Sequence, residues 1–591
     1  MDWNAVMEGK SFDAYTYLGA QAERGGTVFR VYAPNASRVS VTGEFNRWGE
    51  TPLDRLPTGV FEKKIPGARW GEMYKYIVFT RRGARKEHCD PFGYELERGN
   101  GHCSVIRRRG EYRFHDRRWM EQRSLCYDRP LNIYEMHPGS WLKKGWQWYP
   151  YDELALPLID YLKRNAYTHV EFLPLAEHPS DGSWGYQETG FFAATSRYGC
   201  NDQLKLLVDR LHQAGIGVIF DFVAAHFATD GYGLGMFDGS ALYESRKQDE
   251  RRSEWGTVFF DLESGYVRSF LQSAAAYWLE EYHADGLRFD AVSHILYRKG
   301  DARNGENAAG IAFLREMNRG LAERFPSAMR IAEDPTAFPG VTHAPEQGGL
   351  GFTYKWDLGW TYDTLGFFFL PPERRPGESR RLTFSTDYFP NETYLLPISH
   401  DESGRERGSV FARLPGTEEE KLRNAKLLYL YQTVHPGKKL RFMGNELAGG
   451  EWDVHKELDW TALHRKKIRD FAEFLRALGL LGCGNTALYE ADYEPWSTRW
   501  ICCDDGGNAV YAMIRHGREK HLLAIWNFSA EERSHAVSLP FAESLQLLLH
   551  TEWPEFGGET AKRARPFRLE NDRISFHLPP LAGMVLEVRF R

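Results

Sequence analysis

Apolar and polar positions follow a short period in the first part of the chain. Up to about residue 110, β-rich segments such as 27–32, 39–42 and 74–80 are separated by Gly, Pro and Asn. Short apolar segments bounded by such turn residues are typical of strands, and a succession of them predicts a small β-sandwich.

From Leu131 onward, short apolar runs alternate with helical stretches. Strands that alternate with helices predict a parallel sheet, and about eight repeats predict closure into a (β/α)8 TIM barrel. A doubly wound open sheet is the alternative, but no GxGxxG follows an early strand. The predicted strands are 132–136, 169–173, 217–223, 286–291, 329–332, 352–356, 394–399 and 439–443.

One helix between these strands is especially clear in the sequence. It is predicted to begin with Asn201 as N-cap and to stop at Gly215. Its apolar face consists of Leu204, Leu207, Val208 and Leu211.

After about residue 475 the helical signal fades, and segments 500–503, 509–515, 522–527 and 584–590 predict a C-terminal β-sandwich. A charged stretch from Arg107 to Arg123 marks the end of the first domain, and its Arg run is interpreted as a solvated linker face. The predicted domains are an N-terminal β-sandwich at 1–110, a (β/α)8 barrel at 125–475 and a C-terminal β-sandwich at 480–591.

The composition of the chain indicates which classes of partner molecule are expected. The formal net charge of −6 gives no reason to expect nucleic acid or an anionic membrane, whereas a neutral polymer suits such a surface. The aromatic content of 14% fits either large aromatic cores or exposed platforms for sugar faces.

The N-terminus lacks the features of a secretory signal, and no apolar run has the ~18 residues of a membrane span. Seven cysteines without CxxC spacing predict reduced thiols and a cytoplasmic protein.

Charged side chains cluster at the ends of the predicted barrel strands. The carboxyl ends of the strands in such a barrel converge on one face, where the active site forms. Because acidic residues after apolar strands are costly to bury unless they are used or paired, several at one mouth indicate a site. The residues at these ends are Asp221, His226, Arg288, Asp290, Glu333, His400, Asp401 and Glu402.

This set of carboxylates suits cleavage of a glycosidic bond. The leaving oxygen needs a proton from a neutral acid, and the anomeric carbon needs an anion on its opposite face. Arg288 lies two residues before Asp290 on one strand, so both side chains point to the same side and the guanidinium should keep Asp290 ionised. Glu333 is the candidate acid, with a pKa expected to be raised by neighbouring anions and partial desolvation. No HExxH or Cys/His cluster predicts a metal, and no cofactor is expected.

Several strings resemble signature segments of the α-amylase superfamily. They are DGLRFDAV at 285–292, IAED at 331–334 and PISHDE at 397–402. Others are similar to glycogen branching enzymes, among them IYEMHPGSW at 133–141, YTHVEFLPLAEHPSDGSWGYQ at 167–187, FDGSALYE at 237–244 and HPGKKLRFMGNE at 435–446. RVYAPNASRVSVTGEFNRW, at 30–48, resembles the glucan-binding module that precedes the barrel in that family.

The resemblance implies a role for each matching residue. Asp290 would be the nucleophile, Glu333 the acid/base and Asp401 the stabiliser of the transition state. The substrate would be an α-glucan polymer such as glycogen, amylose or amylopectin. The residues that would bind or orient it are Tyr186, Asp221, His226, Arg288 and His400.

Some of these residues have a purely structural alternative. Asp221 could only brace its loop, and Trp184 and Tyr186 could be core aromatics, although the flanking Gly182 and Gly185 favour an exposed, sharply bent loop. Glu402 and Glu446 are left unassigned between a structural and a functional role.

The chain departs from the family pattern in two loops. It runs directly from Tyr297 to Glu306 where a longer segment is usual, and Ser403-Gly404-Arg405-Glu406-Arg407 replaces the usual run after the seventh strand. Three functions therefore stay open: a 1,4-α-glucan branching enzyme as the leading hypothesis, a hydrolase of the same superfamily, and a non-catalytic glucan-binding scaffold.

Overall fold

The fold contains a closed barrel of eight parallel strands. The computed structural model describes residues 1–98, 102–404, 408–504, 507–563 and 565–591. The predicted barrel is confirmed, and each strand begins and ends within two residues of its predicted bounds. In barrel order the strands are Asn132–Met136, His169–Phe172, Gly217–Phe222, Gly286–Phe289, Met329–Ala332, Tyr354–Trp356, Tyr394–Ile398 and Lys438–Phe442.

The chain divides into two compact units, each with its own internal contacts. The first comprises Met1–Ser124, His137–Leu158 and Glu171–Thr353. The second comprises Leu125–Met136, Ile159–Val170 and Tyr354–Arg591. Both units contribute strands to the barrel, and the domain boundaries proposed from the sequence stay a prediction.

The N-terminal part of the first unit is the β-sandwich predicted from the sequence. Its residues Phe29, Val39 and Ile77 are fully buried, as the apolar positions of strands that face a shared core should be. One sheet contains Gly19–Glu23, Gly26–Tyr32, Val60–Pro66 and Asp54–Arg55, in that order. The other contains Thr51–Pro52, Ala36–Gly43, Met73–Thr80 and Arg85–His88, with Ser104–Val105 paired to Met73–Thr80.

The helix predicted after the second barrel strand spans Asn201–Gln213. Its four predicted apolar positions are buried, but the predicted N-cap is wrong by one residue. Cys200 is the N-cap, and its backbone N–H donates to the Gln203 side chain at 2.9 Å. Asn201 lies in the first helical turn, where its side-chain amide donates to the Tyr94 carbonyl and so ties the helix to the N-terminal segment. Other helices of the first unit are Trp3–Glu8, Gly265–Glu281 and Ala308–Arg324.

The second unit ends in the predicted C-terminal β-sandwich. A six-stranded sheet contains Thr498–Cys502, Val510–His516, His521–Asn527, Ala582–Phe590, Ala542–His550 and Phe567–Arg568. The strands Arg533–Ser538 and Arg573–Leu578 pair beside it. A core of buried aromatic and aliphatic residues joins this sheet to the helices Leu358–Phe368, Glu418–Val434 and Lys466–Gly484.

A buried histidine holds the charged linker of the first unit against the barrel. His212 Nδ1 lies 2.8 Å from Asp116 and Nε2 lies 2.9 Å from Asp285. Burial lowers the pKa of His212, but the charges of the two carboxylates and their hydrogen bonds outweigh burial and raise it to about 9. Trp119 of the linker also donates its indole N–H to Asp285, at 2.8 Å. The linker is therefore anchored by an imidazolium between two carboxylates.

This anchor predicts a loss of stability at alkaline pH. Because the pKa of His212 is about 9 in the folded chain and 6.5 unfolded, its contribution is complete below pH 6.5 and is lost as pH rises through 9. The free energy of unfolding should fall by about 3 kcal/mol over that range, measured by urea denaturation of the full chain. The His212→Gln variant provides the control, because its unfolding should lack this component. Parallel pH profiles in the two proteins would contradict the assignment.

No helix within the described residues has both the length and the apolar character to cross a membrane.

Candidate functional site

Arg288 is the central cation of the site in the first unit. It lies on the barrel strand Gly286–Phe289, and only 1% of its side chain is exposed. Its Nη1 donates to Oδ1 of Asp290 at 2.8 Å and to both carboxylate oxygens of Asp221 at 2.9 Å. The guanidinium therefore fixes two carboxylates from neighbouring strands, as its geometry favours.

Tyr186 supports this arrangement from the loop before the third strand. Its hydroxyl donates to Asp221 Oδ2 at 2.6 Å. Burial raises the pKa of Asp221 to about 6, against the opposing effects of Arg288 and the Tyr186 hydrogen bond. Gly185 has φ +99°, and a Cβ there would lie 2.3 Å from the Pro174 carbonyl oxygen, so only glycine permits this bend. The loop is sharply bent as predicted, but Tyr186 is buried because its hydroxyl reaches inward to Asp221.

Glu333 follows the next strand, Met329–Ala332, and faces the same guanidinium. Its Oε2 accepts the Ala291 backbone N–H at 2.6 Å and lies 3.8 Å from Arg288 Nη2. The Glu333 carbonyl also accepts the Val292 N–H at 3.0 Å, so both ends of the residue are tied to the loop that follows Asp290. Asp290 and Glu333 each retain 15% side-chain exposure, which leaves them accessible beside a buried Arg288. The raised pKa expected for Glu333 stays a prediction.

His226 and Glu188 are two further buried groups of the first unit. Burial lowers the pKa of His226 to about 4, and its ring lies 5.1 Å from that of Trp255. Glu188 was not singled out from the sequence. Burial and the charges of Asp221 and Asp290 raise its pKa well above the usual range. A charged residue directly after the Tyr186 loop was the only sequence signal for it.

His400 and Asp401 form a pair in the second unit, directly after the strand Tyr394–Ile398. His400 is 2% exposed, whereas Asp401 retains 34%. Glu135, also missed by sequence reasoning, binds the backbone N–H of His400 at 2.8 Å and its Nδ1 at 2.6 Å. These two contacts fix the imidazole ring of His400, whose Nε2 lies 3.8 Å from Asp401 Oδ1. The signal for Glu135 was a charge within the apolar first strand.

The two glutamates left unassigned have structural contacts. Glu402 Oε2 accepts the backbone N–H and hydroxyl of Ser399 at 3.0 and 2.8 Å, which closes the turn that carries Asp401. Burial and the charge of Asp401 raise the pKa of Glu402 to about 7. Glu446 accepts hydrogen bonds from the hydroxyls of Tyr134 at 2.9 Å and Tyr161 at 2.6 Å.

The two unusual loops differ in how far they can be described. After Tyr297 the chain forms the short turns Arg298–Gly300 and Ala302–Asn304, and Tyr297 pairs with Glu306. In the second loop, the Ser403 carbonyl accepts the Trp452 N–H at 2.8 Å. Arg405, Glu406 and Arg407 lie outside the described residues.

The first unit thus brings five of the predicted residues together around one guanidinium: Tyr186, Asp221, Arg288, Asp290 and Glu333. His400 and Asp401 are adjacent in the second unit. That Asp401 joins Asp290 and Glu333 at one sugar stays a prediction. Among the residues with described positions, no group of His, Cys, Asp or Glu is arranged to hold a metal ion.

Three family models match successive parts of the chain, in the order of the N-terminal β-sandwich, the barrel and the C-terminal β-sandwich. Carbohydrate-binding module 48, the isoamylase N-terminal domain, matches residues 17–93. The α-amylase catalytic domain matches residues 157–255, and the α-amylase C-terminal all-β domain matches residues 500–589.

Solved structures share this fold at low identity. Pullulanase type I from Bacillus subtilis is 18% identical with a TM-score of 0.74, over 96% of this chain and 85% of its own. A pullulanase from Anoxybacillus sp. LM18-11, solved with maltotetraose, is 16% identical with a TM-score of 0.74, over 99% of this chain and 89% of its own.

Relatives of higher identity share one name, 1,4-alpha-glucan branching enzyme GlgB. The protein of Nitrosospira multiformis is 40% identical over 98% of this chain and 82% of its own length. Those of Fusobacterium nucleatum and Bacillus caldolyticus are each 38% identical, over 95% and 98% of this chain and 93% and 90% of their own lengths. The resemblance seen in the sequence is confirmed, and the chain belongs to the 1,4-alpha-glucan branching enzyme family.

Proposed function

We propose that this chain is a 1,4-α-glucan branching enzyme that cleaves an α-1,4 linkage and re-forms it as an α-1,6 branch. The family membership supports the reaction, and the carboxylates around Arg288 support its chemistry. The observation that carries the mechanism is that one buried guanidinium binds Asp290 while Glu333 lies beside it with its side chain still accessible.

In the first step, Asp290 attacks the anomeric carbon and Glu333 gives its proton to the leaving glycosidic oxygen. Arg288 Nη1 binds Oδ1 of Asp290, so Oδ2 is the attacking oxygen. The C1–O4 bond breaks as the C1–Oδ2 bond forms, and a glucan chain with a new non-reducing end departs.

In the second step, Glu333 takes the proton of a glucan 6-hydroxyl, whose oxygen attacks C1 and releases Asp290. Two inversions leave the α configuration unchanged. A held acceptor has an effective-concentration advantage over water, and exclusion of water suppresses hydrolysis.

The remaining residues bind and orient the sugar. Asp401 stabilises the positive charge at the anomeric centre, and His400, oriented by Glu135, binds a sugar hydroxyl through Nε2. Tyr186 supports the sugar at the cleavage point, and Asp221 holds Arg288 in place. His226, neutral because of its burial, binds a further hydroxyl. The substrates are glycogen, amylose or amylopectin. The absence of CxxC spacing among the seven cysteines suits a cytoplasmic location.

Incubation with amylose tests the reaction. Branching should lower the iodine absorbance without releasing reducing ends, because each bond broken is replaced by another. A debranching enzyme should then release short chains from the product. Release of reducing ends in step with the loss of absorbance would identify a hydrolase. No change in either measurement would leave only the glucan-binding scaffold.

A further inference from the structure

A cavity lies in the second unit, at the amino ends of the first and eighth barrel strands. Its volume is about 370 Å³. Asn132 and Lys438 begin these two strands, and the wall also includes the end of the helix Lys466–Gly484 and residues of the segment 488–492 that follows it. We call it the Lys439 cavity. The predicted catalytic and substrate-binding residues are not part of its lining.

Positive charge exceeds negative charge in the lining of this cavity. Lys438, Lys439 and Arg441 provide three cations, and Asp492 is the carboxylate that lines it with them. All four side chains are buried. A buried charge is costly unless it is paired, and the lining carries two more positive than negative charges.

Asp492 cannot neutralise all three cations, because it is shared with a fourth. Its Oδ2 lies 3.1 Å from Lys438 Nζ, and its Oδ1 accepts a hydrogen bond of 2.9 Å from Arg515, which is fully buried outside the lining. Among the residues that the structure describes, no carboxylate forms an ion pair with Lys439 or Arg441. These two groups therefore favour an anionic ligand.

The ionisation of the three lining cations reflects this excess of positive charge. Burial lowers the pKa of Lys439 to about 7, and the neighbouring cations add to this effect against the charge of Asp492. Burial also lowers the pKa values of Lys438 and Arg441. An anion in the cavity would stabilise the charged forms of all three groups.

Hydrogen-bond donors for such an anion remain in the cavity. Lys439 Nζ donates to the carbonyls of His435 and Gly437, which uses two of the three N–H bonds of an ammonium group. Arg441 donates through Nε and Nη2 to two side chains of the helix Glu418–Val434, both at 2.8 Å. Because a guanidinium has five N–H bonds, both groups keep donors that match the oxygens of a phosphate.

We propose that the Lys439 cavity binds inorganic phosphate, which neutralises Lys439 and Arg441. The excess of two positive charges in the lining matches the divalent form of phosphate better than a halide. The bound anion would link the eighth barrel strand to the segment 488–492, which leads into the C-terminal β-sandwich. Phosphate should therefore stabilise the folded chain, whatever reaction the carboxylates catalyse.

Thermal unfolding of the full chain tests the proposal. At a pH just below 7, where Lys439 is protonated, about 20 mM phosphate should raise the Tm by about 2 °C relative to potassium chloride of the same ionic strength. Sulfate, which has the same shape and stays divalent, should act in the same way. A larger shift with glycerol 2-phosphate than with phosphate would assign the cavity to a phosphate monoester instead of free phosphate.

Two variants show whether the shift comes from this cavity. Lys439→Met removes one cation and should lose most of the phosphate-dependent shift. Gly482→Leu leaves every charge in place and should fill the cavity, because Gly482 lines it and a Cβ there would lie at an ordinary 3.6 Å from Thr433. Gly484→Leu is the matched control, since Gly484 is exposed on the same helix and does not line the cavity.

The control should keep the wild-type shift, whereas Gly482→Leu should lose it even if Lys439→Met does not fold. Equal phosphate-dependent shifts in the wild-type chain and in Gly482→Leu would overturn the site, because a general salt effect on stability would then account for them. Calorimetry with phosphate should in turn detect one site in the wild-type chain and in Gly484→Leu, with at least tenfold weaker binding in Gly482→Leu.

Discussion

Replacement of Asp290 by Ala should lower kcat for branching by roughly 10⁴-fold to 10⁶-fold, the range for loss of a covalent nucleophile. Asp221 cannot take its place, because its side chain is 1% exposed and both its oxygens are bound by Arg288. The fold should survive, since Asp221 still neutralises Arg288. The measurement is the rate of change in iodine absorbance with amylose, together with the melting temperature.

Asp301→Ala provides the matched control. Asp301 lies in the short loop after Tyr297, is 34% exposed and pairs with its neighbour Arg303. Its removal should leave kcat nearly unchanged. If Asp290→Ala retained near-normal activity with an intact fold, Asp290 would not be the nucleophile, and the mechanism proposed around Arg288 would fail with it.

Strand positions were predictable from the sequence because barrel strands are buried on both faces. Runs such as 217–223 are apolar almost throughout, and they are bounded by Gly, Pro or charged residues. The proximity of Arg288, Asp290 and Asp221 could be predicted from the same strand pattern. Residues two apart on a strand point the same way, and the carboxyl ends of neighbouring strands meet.

Contacts that depend on long-range packing could not be predicted. Glu135 looks like any charge in a strand until the fold brings His400, 265 residues away, within 2.6 Å of it. The burial of Tyr186 has the same cause, because its partner Asp221 lies on another strand. The error at Asn201 has a similar cause. Local rules assign its side chain to the N-cap, whereas its amide donates to the carbonyl of Tyr94, which is distant in sequence.

Replacement of Glu333 by Gln should lower kcat by about 10²-fold to 10⁴-fold, the usual contribution of a general acid. Gln keeps an oxygen that can accept the Ala291 N–H, so the side chain should stay in place while its transferable proton is lost. The defect should depend on the leaving group, unlike that of Asp290→Ala. With α-maltosyl fluoride, whose fluoride leaves without protonation, Glu333→Gln should still release a burst of fluoride, and Asp290→Ala should release none.

The fluoride burst distinguishes the role of Glu333 from that of Asp290, because the first chemical step needs no acid when fluoride is the leaving group. After it, the maltosyl group should stay on Asp290 of the Glu333→Gln protein, since no base activates the acceptor, and intact-protein mass spectrometry should detect the adduct. Glu346→Gln is the control, because Glu346 is 70% exposed on the following loop and should behave as wild type. Equal losses with amylose and with the fluoride would show that Glu333 does not act as the acid, and that its place beside Arg288 is structural.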